Sequence, residues 1–251
     1  MVNCDIGERG PRHPVDVELM RWIDIANLAC GGHAGDAESA GAFLDLARKQ
    51  RVAVSAHLSY PDRPNFGRKS MEMDGARLLQ SLDGQYALLP RVELVKFHGA
   101  LYNDSCRDAA LADLLADWLR STPCRTVITA PDSALERACA AVGIAVIREA
   151  FAERRYRLDP QSGRLSLVSR DRPYAAISTT EEAVAQVKSI LQRGEVHAVV
   201  ELSDGNTEDR TAPLAAATIC VHSDSAIALP LARALREMLG GTETTKRPGA
   251  Q

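Results

Sequence analysis

The sequence predicts an α/β barrel. Short β-branched runs alternate with longer amphipathic segments along most of the chain, the length of 251 residues suits one such barrel, and polar residues recur just after the strand candidates. Residues 1–239 read as one domain. The end, 240–251, carries Gly-Gly and Pro without apolar periodicity and reads as a disordered tail.

The strands are expected near Val2 to Cys4, Ile23 to Ala29, Val52 to Ala56, Val92 to Phe97, Thr126 to Ala130, Ile144 to Arg148, Val196 to Leu202 and Thr218 to Val221. Met1 stands almost at the catalytic end of the first, so that stave is expected to be missing residues or the start to be late. Crossover helices fit Asp36 to Gln50, Asp108 to Arg120 and Glu182 to Arg193, where apolar residues fall at helical spacing behind an acidic start. Asp132 is expected to cap a further helix that Gly143 stops. Tyr156 to Val168 reads as a hairpin around Pro160-Gln161-Ser162-Gly163, placed at the barrel mouth. Asp204-Gly205-Asn206-Thr207 signals another turn, so the strand before it is expected to pair with the final strand instead of forming a stave. The count is then about seven or eight staves.

Apolar residues at 45% and charged residues at 25% are globular proportions, so a real core can form. A net charge of −3 without a basic stripe argues against nucleic acid and anionic membrane as partners. No apolar run approaches the roughly 20 residues that span a bilayer, and the N-terminus lacks the pattern of a secretion signal. The six cysteines form no C-x-x-C pair and read as reduced thiols, so the expected setting is cytoplasmic.

In a β/α barrel, chemistry stands at the C-terminal ends of the strands. There the sequence places Asp5 with Glu8, Asn27 with His33 and Asp36, His57 with Asp62 and Arg63, Lys96 with His98, Glu149 with Arg154, and His222 with Asp224. Taken singly, each has a plainer reading: a histidine after a strand is often structural, and Asp36 or Asp224 can simply cap a helix. Together, four of the six histidines at one rim point to a site. Imidazoles and carboxylates in this number suit a divalent metal, with Asp5, His57 and His98 as candidates, or general acid and base chemistry with Lys96 or an arginine opposite a developing oxyanion. Cys30, among apolar neighbours, reads as a packed thiol and not as a nucleophile. The loop Gly31 to Asp36 opens a helix and can receive an anion, but the chain contains no G-x-x-x-x-G-K-[ST]. ATP, if used, belongs to this loop or to another protein.

Seven stretches in order carry a resemblance: Asn3-x-Asp5-x-Gly7-Glu8, Ala26-Asn27 to Asp36, Ala56-His57-x-Ser59-Tyr60-Pro61-Asp62-Arg63, Phe66-Gly67-Arg68, Lys96-x-His98-Gly99-Ala100-Leu101-Tyr102-Asn103, Glu149-x-Phe151-Ala152-x-Arg154-x-Tyr156 and Ile219-Cys220-x-His222-x-Asp224. They resemble the successive motifs of the LamB/YcsF family. The resemblance implies an irregular seven-stranded (β/α) barrel of the glycoside hydrolase/polysaccharide deacetylase type. It also implies the role of the A subunit of 5-oxoprolinase, opening the lactam of 5-oxo-L-proline to L-glutamate at the expense of ATP, with Mg and partner subunits B and C. On it, Asp5, His33, His57, Lys96, His98 and His222 are candidates for catalysis, and Glu8, Asn27, Asp62, Arg63 and Arg154 for substrate contact, with Asn27 orienting the amide. Departures stand beside it. Leu58 and Phe97 occupy places where the family has proline, Glu153 a usual Asp and Ser223 a usual Gly; loss of both prolines is expected to loosen or re-aim two rim loops. The alternatives are a metal-dependent deacetylase or amidohydrolase acting on a carbohydrate or amide without ATP, and a non-catalytic binding subunit.

Overall fold

The computed structural model describes residues 1–202 and 207–240. Seven strands, β1 (Val2–Ile6), β2 (Ile25–Ala29), β3 (Ala53–Leu58), β4 (Leu94–Phe97), β5 (Thr126–Thr129), β6 (Ala145–Phe151) and β11 (Thr218–His222), close into a barrel in the order β1-β11-β6-β5-β4-β3-β2. Every pairing in it is parallel. A parallel pair requires a crossover, and helices lie in each one: α1 (Pro14–Leu19), α2 (Ala37–Gln50), α3 (Gly75–Tyr86), α4 (Gly99–Arg107), α5 (Ala109–Ser121), α6 (Ala134–Ala141) and α7 (Thr180–Arg193), with α8 (Ala228–Met238) following the last strand. β1, at five residues as long as β2 and β11, is paired along both edges, to β2 and to β11.

The strand near Val196 is, as expected, not a stave. β9 (Glu195–Glu201) belongs to a four-stranded sheet ordered β10-β9-β7-β8, with β7 (Tyr156–Leu158), β8 (Leu165–Leu167) and β10 (Thr207–Pro213). Its expected partner is the final strand, but β11 has no free edge, being held by β1 and β6. Instead β10 turns back on it in antiparallel register from Thr207↔Glu201 to Pro213↔Glu195. The expected turn falls on 203–206 and, like the tail 241–251, lies outside the described residues. The Tyr156–Val168 hairpin forms as β7 and β8, and the Tyr156 hydroxyl accepts the Phe151 N–H at 2.8 Å, tying the hairpin to the end of β6.

Local signals account for the helix ends. Asp36 caps α2 through a reciprocal box, its carboxylate accepting the Ser39 N–H and the Ser39 hydroxyl accepting the Asp36 N–H, both at 2.8 Å. Asp132 does not cap α6; it takes a left-handed φ of 57°, and the Ser133 hydroxyl caps by accepting the Glu136 N–H at 3.0 Å. A single buried cluster links barrel and helices, with Phe43, Leu82, Leu115 and Leu235 fully enclosed.

The two residues standing for prolines are register partners, Leu58 opposite Phe97, and both are wholly buried. The ladder therefore runs unbroken to the rim, where the His98 N–H donates to the Leu58 carbonyl at 2.7 Å. Two apolar side chains pack where the prolines would stand. Replacing Asp36 with Ala should lower stability by about 1 kcal/mol in urea unfolding, since it removes a cap and no rim group. An unchanged midpoint would contradict the box.

Candidate active site at the C-terminal rim

The barrel interior is polar where such barrels are usually aliphatic. In β1, Asn3 and Asp5 point to one face by the period of two, and the register sets Asn27 beside Asp5 and Ser55 beside Asn27. The Asn27 amide donates to Asn3 Oδ1 and to Asp5 Oδ1, each at 2.8 Å, while its oxygen accepts the Ser55 hydroxyl at 2.6 Å. Both amide hydrogens are thus engaged. Asn27 is fully buried and holds Asp5 in place.

Lys96 reaches into this layer from β4. Its ammonium lies 2.8 Å from Glu149 Oε1 and 3.3 Å from Asp5 Oδ1, and it donates to Asn3 Oδ1 and Cys220 Sγ, each at 3.1 Å. Burial opposes the charge, but Asp5, Cys220 and Glu149 outweigh it and push the Lys96 pKa well above its ordinary value. Burial alone would lift Asp5; His57 and Lys96 overcome it and hold the carboxyl well below its usual range. Lys96 and Asp5 thus stabilise each other's charged forms inside the barrel.

Above it lie three imidazoles and a carboxylate. His57 Nε2 is 3.4 Å from Asp5 Oδ1 and 3.0 Å from His98 Nδ1. His98 stacks on His33 with centroids 3.7 Å apart, and His33 Nε2 meets Glu8 Oε1 at 2.9 Å. Glu8 Oε1 is also 3.6 Å from His98 Nδ1. Burial lowers His33 to about 3 and His98 well below its ordinary value, the latter with help from His33 and His57. Burial, with Asp5 adding, raises Glu8 to about 7. Among the described residues, Glu8, His33, His57 and His98 bring ligand-type atoms within 4.8 Å of one another and can hold a metal ion. The carboxylate grouped with the imidazoles is Glu8, whereas the expected set had Asp5, which Lys96 and Asn27 already engage.

Close approach of two loops builds this cluster. Gly67 and Gly99 both have positive φ, and a Cβ on Gly99 would stand 2.4 Å from the Gly67 carbonyl oxygen; a Cβ on Gly67 would press on His33 and His98.

His222 lies apart from the other three. Its N–H and Nδ1 both face Glu153 Oε1, at 2.8 and 2.6 Å, and its ring stacks on Phe151. There a cavity of about 260 Å³ opens, lined by Glu153, Arg154, Arg170, His222 and Asp224. Arg154 donates to the Val168 and Ala175 carbonyls, at 2.7 and 3.3 Å, so it braces the segment after β8 while lining the cavity. Burial, then Arg170, lowers it to about 10. No motif points to Arg170, which lies in a turn region; only the fold sets it beside Arg154. Glu153 was legible only as a departure.

Other expected site residues are local braces. Arg63 donates to the Gly31 and Gly35 carbonyls at 3.0 and 2.8 Å, clasping the glycine-rich loop, and Asp62 accepts from the Asn65 backbone and side chain. The anion site expected at that loop is answered by Asp36, whose own carboxylate caps the helix. Cys30 is buried and its thiol is pushed up to about 12, as a packed thiol should be. A second cavity, of about 450 Å³, lies at the strand starts against Arg91 and Arg125, the end of the barrel opposite the histidines.

A closed parallel barrel with a buried lysine–carboxylate pair and a histidine–glutamate cluster at its C-terminal rim belongs to the class of β/α barrels that carry polar chemistry on that face. Within that class, the chain belongs to the LamB/YcsF family, whose sequence model matches residues 1–251. It is 37% identical over 246 residues to a Methylococcus capsulatus protein named as the A subunit of 5-oxoprolinase, covering 94% of this chain and 90% of that one. Its fold is similar to the crystal structure of a lactam utilization protein from Thermus thermophilus, with a TM-score of 0.76, 29% identity and 96% of each chain covered.

Two measurements check this geometry. Lys96→Met strands Asp5 and Glu149 as buried unpaired charges and should cost about 3–5 kcal/mol in denaturant unfolding; a loss under about 1 kcal/mol, the range of exposed pairs, would mean that the ammonium is solvated. His33, with a folded pKa below its ordinary 6.5, binds fewer protons folded than unfolded, so its contribution is complete above 6.5 and lost as pH falls toward 3. His98 acts in the same direction, while Glu8, raised from 4.5 to about 7, opposes them as pH rises through that window. With chelator present, the wild type should lose melting temperature on acidification from pH 6.5 to 4.5 more steeply than a His33→Gln/His98→Gln variant. Equal slopes would mean that the imidazoles are charged in the folded state.

Proposed function

We propose that this chain is the lactam-opening component of an ATP-dependent 5-oxoprolinase, acting as its A subunit with partner subunits B and C. The observation that carries the reading is the convergence of Asp5, Lys96, His57 and His98, drawn from three strands, on one buried point at the rim of a barrel whose family includes a relative of that name. A lactam carbonyl is a poor electrophile, and phosphorylating its oxygen makes that oxygen a leaving group. Water then adds to the ring carbon and gives up a proton, the C–N bond breaks as the ring nitrogen takes up a proton and becomes an amine, and a second water displaces phosphate from the resulting acyl phosphate to leave glutamate and inorganic phosphate. The His57 and His98 rings and Glu8 surround the point at which these proton transfers take place, and the Lys96–Asp5 pair sets a fixed field against the charge that develops on oxygen.

The substrate also carries a carboxylate. Arg170 lines the adjacent cavity without a hydrogen bond or ion pair among the described residues, and Arg154 stands next to it, so these two supply its cationic wall. Mg-ATP is assigned to the assembly with the partner subunits: the chain lacks a P-loop, and the helix end at Gly31 to Asp36 is capped by its own aspartate. Among the described residues no helix is long and apolar enough to cross a membrane, and six free thiols support a cytoplasmic setting. We take 1–239 as one domain.

The test is 5-oxoproline-dependent ATP hydrolysis by the chain mixed with its B and C partners, with glutamate followed in the same tube. His57→Gln and His98→Gln should each lower kcat by at least about 100-fold. Arg170→Met should raise KM about tenfold with a smaller effect on kcat, the pattern of a lost carboxylate contact. Full turnover with His98→Gln, or by the partners alone, would overturn the reading.

A further inference from the structure

Hydrogen bonds to the backbone fix where the protons of the histidine cluster lie. His57 Nδ1 lies 3.1 Å from the Lys96 carbonyl oxygen, and His98 Nε2 lies 3.0 Å from the Phe66 carbonyl oxygen. A carbonyl oxygen only accepts, so each of these nitrogens carries the hydrogen. A neutral imidazole has one N–H. With both rings neutral, the remaining nitrogens, His57 Nε2 and His98 Nδ1, present lone pairs that face each other at 3.0 Å, with Asp5 Oδ1 at 3.4 Å from His57 Nε2. Two lone pairs at that distance repel unless a positive centre lies between them or beside them. A histidine whose second nitrogen donates to a backbone carbonyl is also the usual arrangement around a bound metal, because that bond fixes the tautomer and aims the other lone pair.

A shared proton would serve the two nitrogens, but a third ligand atom is directed to the same place. Glu8 Oε1 stands 3.6 Å from His98 Nδ1, and His33 Nε2 contacts it at 2.9 Å. His33 Nδ1 is buried without a partner, which suits the tautomer that carries its hydrogen on Nε2 and donates it to Glu8. We infer that His57 Nε2, His98 Nδ1 and the Glu8 carboxylate form a binding site for one divalent transition-metal ion of the zinc type, with His33 orienting the glutamate. Two imidazoles and a carboxylate with a further position open are the donor set of catalytic, as opposed to structural, zinc sites. The ions favouring it are those that accept both nitrogen and oxygen, and magnesium or calcium, which prefer all-oxygen shells, should bind poorly. The ligands rise from the ends of β1, β3 and β4, and the Lys96–Asp5 pair beneath them stays intact. Bound there, the ion would supply Lewis-acid polarisation.

Metal binding is measured without substrate or partner subunits, so its outcome is independent of the lactam reading. The full chain is stripped with chelator and dialysed against Zn²⁺ or Co²⁺; metal per chain is then read by elemental analysis and the Co²⁺ derivative by its visible absorption. The expected result is about one ion per chain, a Co²⁺ band of a low-coordinate nitrogen and oxygen site, and a melting temperature raised by Zn²⁺ but not by Mg²⁺. Glu8→Gln and a His57→Gln/His98→Gln double variant should lose the ion, whereas His33→Gln should keep it with weakened affinity. Circular dichroism of each stripped variant against stripped wild type separates loss of ligands from loss of fold. Folded wild type that retains less than about a tenth of an ion per chain, with no Co²⁺ band, would overturn the inference and leave a shared proton between the two nitrogens. Retention of the full complement by the folded double variant would overturn it equally.

Discussion

The Lys96 ammonium, enclosed between Asp5 and Glu149, is the interaction on which the rest of the site depends. A charge in a barrel interior is tolerated only when opposite charges and hydrogen-bonding groups replace the water it has lost. The sequence provides them from every side: carboxylates from β1 and β6, the Asn3 oxygen, and the Cys220 sulfur from β11. Asp5 in turn needs the Asn27 amide, and Asn27 needs the Ser55 hydroxyl. One buried lysine thereby dictates a polar layer that crosses most of the barrel, at positions where an aliphatic side chain would otherwise pack.

That layer divides the rim into two halves around Asp5. On one side the imidazoles of His33, His57 and His98 pack against each other, and His33 and His98 also pack against Phe66, with centroids 5.2 and 5.5 Å from the phenyl ring. Low polarity there keeps the His33 and His98 rings neutral, and neutral rings can take a proton or offer a lone pair. On the other side Arg154, Arg170 and the His222–Glu153 pair surround a cavity that is cationic along one wall. The first half suits bond making and breaking, and the second suits holding an anionic group. Gly67 and Gly99 allow the loops after β3 and β4 to touch, which brings His98 against His33.

Much of this was legible in the sequence because barrel topology converts position along the chain into position at the rim. His57, Lys96 and His98 sit at or just beyond strand ends defined by their own β-branched runs, so period and location agree. Asp36 and Asp224 justify caution: the first caps α2, and the second pairs with Arg68 at 2.7 Å. Other features carry no local signal. The strand β10 is mostly exposed and lacks apolar alternation, so its pairing with β9 depends on the fold. The helices α1, α3, α4 and α8 are not among those the sequence singles out, although α8 buries Leu231, Ala232 and Leu235 at helical spacing. Arg63 and Asn27 look like ligand contacts because polar residues near a site look alike in sequence, and only their partners distinguish a brace from a contact. Arg170 becomes visible only when the segment after the hairpin folds back over the mouth.

A crystal structure of the chain with 5-oxoproline bound tests the central claim most directly. The account predicts the lactam ring against His57 and His98, with its carboxylate directed to Arg170 and Arg154. Ligand in the cavity at the strand starts, or at the rim with its carboxylate turned away from both arginines, would contradict it.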